Sequence, residues 1–206
     1  MVRYTGPKNR VSRRFGINVF SRARNPLVKR QHGPGQHGAK RKKKSDFGIQ
    51  LDEKQKLKAA FGMITERQLR LYYQKAACMH KNTAELFLQM LDMRLDNVVF
   101  RLKLGATPFQ AQQLVSHGHV FVDGKRVDRR SFQVRPGMEI SIKPSSKKLK
   151  AVVDAVHGQS RSLPPYMELD AENLVGKVIA MPSMADISLP LEVNVPMVCD
   201  FLAHGA

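Results

Sequence analysis

Between residues 45 and 94, apolar side chains recur every three or four positions, which is the spacing of helices that bury one face. This pattern predicts three helices, Ile49 to Phe61, Glu66 to Met79 and Ala84 to Leu91. Thr65 is a good N-cap for the second helix, with Gln68 three residues later. The side chains expected to line a common core are Leu57, Phe61, Leu69, Tyr72, Leu86 and Leu91, and those expected to face outward are Lys54, Lys58, Arg67 and Arg70. We therefore expect a helical domain over residues 45–94.

From residue 95 the pattern differs, because two short helices give way to strands. Asp96 to Leu104 is predicted to be one helix, and Thr107 followed by Pro108 starts another. Asp123-Gly124 is a strong two-residue hairpin signal, and residues 138–143 alternate in the manner of a strand. The order helix, helix, hairpin, strand predicts a second module over residues 95–160.

Residues 161–206 form a smaller, acidic C-terminal part, in which Lys177 is the sole basic residue from residue 163 onward. The patterns predict a helix over residues 146–156, a strand over residues 176–181 and a short amphipathic helix over residues 196–203. The apolar side of that final helix needs a partner surface elsewhere in the chain. Together the segments predict an α+β fold.

Charge separates the N-terminal segment from the rest of the chain. Residues 1–44 hold fourteen Lys and Arg and no Asp or Glu, and the whole chain has a net charge of +18. Gly and Pro recur through this segment, so we predict an extended arm that self-repulsion keeps open without a partner. Such an imbalance indicates a polyanion partner. No window approaches the roughly 18 consecutive apolar residues of a membrane span, so no membrane association is expected.

The residues that catalysis or metal binding would need do not form a recognisable set. The sequence has no paired nucleophile and base and no glycine-rich phosphate loop, and Cys78 lies in an apolar helical pattern that predicts a buried position. His32 and His37, like His117 and His119, lack a cysteine or carboxylate at metal-ligand spacing. The sequence therefore predicts a binding protein with no cofactor and no metal, rather than an enzyme.

Four short motifs of the second module closely resemble the S4 RNA-binding domain. They are residues 94–101 (RLDNVVFR), 113–119 (QLVSHGH), 122–127 (VDGKRV) and 134–140 (VRPGMEI). Flanking motifs resemble the bacterial-type ribosomal protein S4 family, and they are residues 34–38 (PGQHG), 45–57 (SDFGIQLDEKQKL) and 66–73 (ERQLRLYY). Because several motifs occur in the right order from end to end, this resemblance is far more specific than any single pattern.

The resemblance implies a primary binder of small-subunit 16S rRNA, which attaches early in assembly at a multi-helix junction of the 5′ domain. It implies ribosomal protein S5 as a neighbour, an influence on decoding accuracy, and a cytoplasmic, ribosome-bound location; no DNA partner is expected. It also implies that the last helix packs back on the helical domain. Two departures matter: the arm lacks the zinc-binding cysteines of many relatives, so RNA is expected to order it, and Pro108 and Gln112 stand where relatives often have Arg.

We predict RNA contacts from the clustering of cations, with a solvated charged face as the alternative. Residues 125–130 carry four cations within six positions after a tight turn, which favours phosphate contact. Phe15 is expected to pack rather than stack on a base, and Asp96 to support its helix electrostatically. The complete set of RNA-binding candidates is Arg3, Lys8, Arg10, Arg13, Arg14, Arg22, Arg24, Lys40, Arg41, Lys42, Lys43, Lys44, Arg67, Arg70, Arg94, Arg101, Gln113, His117, His119, Lys125, Arg126, Arg129 and Arg130.

The favoured mechanism is that two domains clamp converging RNA helices through phosphate and shape contacts, with few contacts to base edges. Two other interpretations stay open. A free RNA-binding regulator or chaperone, such as a translational repressor, would not co-sediment stably with small subunits. A nonspecific nucleic-acid compactor would bind DNA and RNA of any sequence with similar affinity.

Overall fold

The computed structural model describes residues 4–22, 24–40, 43–79, 81–158 and 162–204. Its helices are α1 (Lys8–Phe15), α2 (Asp46–Ala60), α3 (Glu66–Ala77), α4 (Thr83–Asp92), α5 (Leu95–Arg101), α6 (Pro108–Ser116), α7 (Lys150–His157) and α8 (Val195–His204), with a short 3-10 helix at Pro144–Ser146. Its strands are β1 (Val120–Val122), β2 (Lys125–Arg126), β3 (Glu139–Ile142), β4 (Met167–Asp170) and β5 (Val175–Val178). The fold is α+β, as predicted.

The chain divides into two compact units. The helical unit contains the residues up to Phe87 and those from Leu189 onward, and the sheet unit is Leu88–Ser188. The sequence analysis placed its boundaries at residues 45, 95 and 161 instead. The acidic C-terminal part is shared between the units, because β4 and β5 pair within the sheet whereas α8 packs against α2 and α3.

In the helical unit, side-chain caps start α2 and α3, and apolar faces hold the helices together. Thr65 caps α3 as predicted, accepting a hydrogen bond from the Gln68 backbone amide at 3.4 Å. Of the six predicted core residues, Leu57, Phe61, Leu69 and Tyr72 are buried in this unit and Leu86 is partly exposed, whereas Leu91 is buried but belongs to the sheet unit. Val198 and Leu202 of α8 are also buried. The core therefore draws on both ends of the chain.

Two lysines of α2 do not face outward, in contrast to the prediction: Lys58, whose side chain is 14% exposed, and Lys54. The Lys54 side chain is 8% exposed, and its ammonium lies 2.7 Å from Glu66 Oε1 and 4.5 Å from the centre of the Phe201 ring. A lysine stem packs well against apolar neighbours when its charge keeps a partner, and here a carboxylate and an aromatic face both supply one. Helical spacing alone does not reveal this, because Phe201 comes from α8.

The basic N-terminal segment is not extended throughout. Residues Lys8–Phe15 form α1, which Gly16 ends in the left-handed conformation (φ 72°). Val19 and Phe20, a few residues later, are fully buried. Phe15 is partly buried, and Phe20 packs inside the unit rather than offering an exposed ring for base stacking. Apolar burial therefore opposes the self-repulsion from which an open arm was predicted.

The sheet unit is built on a five-stranded antiparallel sheet with the strand order β2-β1-β3-β5-β4. Val120 and Val122 of β1 and Ile140 and Ile142 of β3 point to the same buried face, which the apolar sides of α5 and α6 cover. A side chain at Gly176 of β5 would meet the buried Leu102 methyl groups at 2.6 Å, so helix and strand approach closely there.

The C-terminal part contributes two strands to the sheet, whereas the sequence predicted one. The strand predicted at residues 176–181 is β5, which forms a hairpin with β4 and also pairs with β3. β4 was not predicted, because its four residues carry a single buried side chain, Met167, and too short an alternation to register as a strand. The helix predicted over residues 146–156 begins later, at Lys150, after the short 3-10 helix.

The cysteines differ in environment. Cys78 is exposed at the end of α3, in contrast to the prediction, because the buried face of that helix is Leu69, Tyr72 and Ala76 and Cys78 lies off this face. Cys199 is buried in α8, and burial together with the neighbouring Asp200 raises the pKa of its thiol to about 11. Neither observation indicates a reactive thiolate.

Within the described ranges, no helix combines the length and apolar character that crossing a membrane requires. The same ranges contain no group of three or more His, Cys, Asp and Glu side chains arranged to hold a metal ion.

Candidate nucleic-acid interface

The structure places the predicted RNA-binding residues in three kinds of environment. Arg3, Arg41 and Lys42 lie outside the described residues. Those exposed on the surface of the helical unit are Arg10, Arg14, Arg22, Arg24, Lys40, Lys43, Lys44, Arg67 and Arg70, while Lys8 and Arg13 are partly exposed. The candidates in the sheet unit range from exposed to buried.

In the N-terminal segment, α1 holds the glycine-rich turn that follows it in sequence. Arg13 donates hydrogen bonds to the backbone carbonyl oxygens of His32, at 3.2 Å, and Gly33, at 2.9 Å. The turn is tight, since a side chain at Gly38 would approach the Gly33 carbonyl oxygen to 2.0 Å. Arg13 therefore shapes the backbone of this segment, and the cations around the turn are displayed on a folded frame rather than on a free chain.

The same helix is attached to α2 by a carboxylate that two cations share. Arg14 of α1 and Lys44, just before α2, bind Oδ1 and Oδ2 of Asp52, respectively. Burial by itself raises the pKa of Asp52, but the hydrogen bonds and charges of Lys44 and Arg14 outweigh it and hold the pKa below its usual value. The Arg14 and Lys44 side chains remain 49% and 60% exposed. Both can therefore meet a phosphate while they contact Asp52.

On α3, Arg67 and Arg70 are exposed next to a second shared carboxylate. Glu66 Oε1 lies 2.7 Å from the Lys54 ammonium and Oε2 lies 2.9 Å from that of Lys58, whereas the Arg70 Nε is 3.9 Å away. Burial raises the pKa of Glu66, but the hydrogen bonds and charges of Lys54 and Lys58 lower it by more. The pKa of Glu66 is therefore below its ordinary value. Glu66 thus pairs closely with Lys54 and Lys58 and at longer range with Arg70.

In the sheet unit, the turn after α6 brings together a group that we call the edge cluster: His117, His119, Arg126 and Lys143. The rings of His117 and His119 have centres 6.1 Å apart. Between them Gly118 has φ +71°, and a side chain there would meet the Arg126 guanidinium at 2.2 Å. The Arg126 guanidinium therefore lies against the backbone between the two histidines, where the left-handed conformation and the close contact both favour glycine.

His119 is set up as a neutral hydrogen-bonding group. Its Nδ1 lies 2.9 Å from the Ser146 hydroxyl. Burial, followed by the nearby His117, Lys143 and Arg126, lowers the pKa of its imidazole and so favours the neutral form of the ring. Sequence analysis did not include Lys143 or Ser146, because both follow β3 in the chain and reach His119 only through the pairing of β3 with β1.

Other candidates of the sheet unit lie along the hairpin and α6. Lys125 and Arg129 are exposed, and Gln113 is exposed one helical turn before His117. Arg130 is partly buried and donates a hydrogen bond to the Gln112 side chain at 3.2 Å. Gln112, noted in the sequence for replacing an arginine, thus serves as a partner for a cation instead.

Arg94 and Arg101 are not on this surface. Arg94 binds Asp96 through two hydrogen bonds of 3.1 and 2.9 Å, and both side chains are 5% exposed. Arg101, at 9% exposure, lies 2.6 Å from Asp92 Oδ1. We assign these two arginines to the interior. Asp96 was predicted to support its helix electrostatically, and in the structure it forms an ion pair with Arg94 at the start of that helix.

Asp92 is the centre of a buried polar network. Its Oδ1 also accepts a hydrogen bond from Asn97 Nδ2 at 2.8 Å, and its Oδ2 accepts one from the Tyr166 hydroxyl at 2.5 Å. Burial, the charge of Asp92 and this hydrogen bond raise the pKa of Tyr166, while Arg101 opposes the shift. The network ties the end of α4 and the helix α5 to the segment before β4. It is a structural element and offers no open site.

Comparison with known proteins decides the family. Residues 3–92 match the ribosomal protein S4/S9 N-terminal domain, and residues 93–140 match the S4 domain. The chain is 56% identical over 205 residues to small ribosomal subunit protein uS4 of Protochlamydia amoebophila, with both chains covered completely. The chain belongs to the uS4 family. Its identity to uS4 of Chlamydia trachomatis serovar D is 53%, and to uS4 of Chlamydia caviae 51%, each over 99% of both chains.

Membership of the uS4 family agrees with the resemblance found in the sequence motifs. The S4 domain match covers α5, α6, β1, β2 and the first half of β3, and it includes His117, His119 and Arg126 of the edge cluster. The N-terminal match covers the basic segment and the helices up to α4. The exposed cations described above therefore occur in both matched regions.

Proposed function

We propose that this chain is a structural component of the small ribosomal subunit and binds small-subunit rRNA directly. The observation that carries the proposal is the full-length similarity to uS4 proteins. In this chain, cations are exposed both in the region that matches the N-terminal domain and in the region that matches the S4 domain. A phosphate backbone is the ligand that such surfaces suit, because Lys and Arg neutralise it and release its counterions. The protein binds and scaffolds, and no catalytic step is part of the proposal.

The contacts of each unit follow from its geometry. In the helical unit, Arg14, Lys44 and the cations on the frame that Arg13 holds meet phosphates, since their charged ends are exposed on ordered backbone. In the sheet unit, Arg126 presents a planar guanidinium suited to phosphate, and neutral His119 contributes a hydrogen bond that does not depend on charge. Such contacts position RNA by backbone and shape rather than by base sequence.

The finer role follows the family resemblance. We propose that the chain binds early at a helix junction of the 16S rRNA 5′ domain, nucleates assembly there, lies beside ribosomal protein S5 and contributes to translational accuracy. Its location is the ribosome in the cytoplasm. The competing function is that of a free RNA-binding regulator, which would recognise an RNA without remaining in the subunit.

The test is the binding of the purified full chain to a 5′-domain junction RNA and to an unrelated structured RNA of equal length at physiological salt. A junction preference of several powers of ten is expected of a specific assembly protein. Equal affinity for the two RNAs would overturn the proposal in favour of nonspecific charge. Sedimentation of tagged protein with small subunits distinguishes the remaining alternative, because a free regulator would stay in the unbound fraction.

A further inference from the structure

One acidic residue of α2 links two distant points of the basic segment. Residues 1–44 contain no Asp or Glu, so any carboxylate that orders this segment must come from outside it. Asp52 supplies that carboxylate, with one oxygen on Arg14 and the other on Lys44. These cations are thirty residues apart in sequence and enclose the glycine-rich turn that Arg13 holds.

Asp52 is placed where a carboxylate is unfavourable for RNA binding on charge alone. It lies beneath Arg14 and Lys44, two exposed cations of the basic segment, and its negative charge would repel phosphate. It is buried, however, and both its oxygens are occupied by cations of the segment. Arg14 and Lys44 would otherwise repel each other and sample many positions.

Fixing a ligand-binding group before the ligand arrives lowers the entropy lost on binding. Arg14 has helical backbone in α1, and Lys44 directly precedes Ser45, which caps α2 by accepting from the Gly48 amide. The side chain of Asp52 thus connects two ordered elements through their cations. The buried Val19 and Phe20 hold the same segment by apolar contact, at a point between those two cations.

We propose that Asp52 is a positioning residue for RNA: it holds α1 and Lys44 against α2 so that the cations of the basic segment are ordered before rRNA binds. The proposal rests on the proposed function for its ligand. It revises the expectation that RNA must order a segment that lacks zinc-binding cysteines, because the chain's own carboxylate does part of that work.

The matched pair of variants is Asp52→Asn and Glu66→Gln. Each removes one negative charge from a carboxylate that pairs with cations of the helical unit. The partners of Glu66, which are Lys54, Lys58 and, at 3.9 Å, Arg70, lie outside the basic segment. If charge alone matters, both variants bind RNA more tightly. If Asp52 positions the segment, Asp52→Asn binds more weakly than Glu66→Gln.

The first readout is amide hydrogen exchange of the free, full-length protein. Asp52→Asn should exchange faster than the parent protein in residues 8–15, while Glu66→Gln leaves those residues unchanged. Asp52→Glu, which keeps the charge, should restore most of the protection. Unchanged exchange of residues 8–15 in Asp52→Asn would overturn the proposal, whatever the RNA result.

The second readout is affinity for the 5′-domain junction RNA. Asp52→Asn should bind about fivefold more weakly, as expected from two partly exposed ion pairs. Faster exchange with unchanged or tighter junction binding would also overturn the positioning role. A parent protein that does not prefer the junction would refute the proposed function instead, and the exchange readout would still report on Asp52. Circular dichroism confirms that each variant is folded.

Discussion

The two units use arginine and carboxylate in opposite ways. In the helical unit, Asp52 is shared by Arg14 and Lys44, whose side chains stay about half exposed. In the sheet unit, Arg94 and Arg101 are buried together with Asp96 and Asp92. An exposed cation beside a carboxylate can still take a phosphate, whereas a buried pair is committed to the fold. The difference shows that exposure, and not the number of cations, separates the binding surface from the interior.

The sharpest way to break this contrast is Arg101→Ala. Its removal leaves Asp92 buried without its cation, which should lower the free energy of unfolding by about 3–5 kcal/mol. Urea unfolding measures the loss, and the exposed Arg129→Ala serves as the control, with an expected change within about 0.5 kcal/mol. If Arg101→Ala keeps full stability but weakens RNA binding, the arginine belongs to the RNA surface and the contrast between the units is wrong.

The buried ion pairs also show which features of the fold the sequence could predict and which it could not. Helical spacing and turn residues were sufficient for α2 to α6 and for the hairpin of β1 and β2, because those signals are local. The role of Arg101 was not predictable in this way, since it depends on Asp92, and Asp92 in turn is bound by Tyr166 from 74 residues away. α1 was missed because its polar, strongly basic sequence resembles a solvated arm.

The same distinction holds for the candidate surface. Clustering after a tight turn predicts RNA contact for residues 125–130, and this remains a prediction. Lys143 joins His119 only through strand pairing, and Asp52 lies within a helix whose sequence gives no sign of contact with α1. Contacts between segments distant in sequence are the part that local patterns leave out.

A second prediction concerns the exposed cations of the sheet unit. The triple variant Lys125→Ala, Arg126→Ala and Arg129→Ala should bind the junction RNA more weakly and with a flatter salt dependence. Each lost phosphate contact lowers the slope of log K against log salt by about 0.7–0.9, so a total of about 2–3 is expected. Affinity titrations at four or five salt concentrations measure this slope.

The control has the same charge change in the same unit but at residues that are not among the RNA-binding candidates: Lys147→Ala, Lys148→Ala and Lys150→Ala. It should keep the slope of the parent protein. If both triple variants flatten the slope equally, the edge of the sheet has no special role and the unit attracts RNA by net charge alone.

The smallest expected effect is the pH dependence of stability that the shared carboxylates produce. Asp52 and Glu66 both have a lowered pKa in the folded protein. Each therefore stabilises the fold fully above its unfolded pKa of about 4, and this contribution disappears as pH falls through the lower folded value. Because the partner cations of Asp52 are half exposed, its contribution should not exceed about 1 kcal/mol.

Urea unfolding of the variants Asp52→Asn and Glu66→Gln between pH 7 and pH 3 isolates the contribution of each carboxylate to stability. Relative to the parent protein, Asp52→Asn should be less stable at pH 7, and the difference should shrink as pH falls through the lowered pKa of Asp52, because the parent's carboxylate then loses its charge. Glu66→Gln should behave alike, since its carboxylate also loses its ion pairs on protonation. A difference for Asp52→Asn that stays constant with pH would mean that its ion pairs contribute no net stability. The contrast between a charged surface frame and a buried ionic core would then rest on geometry alone.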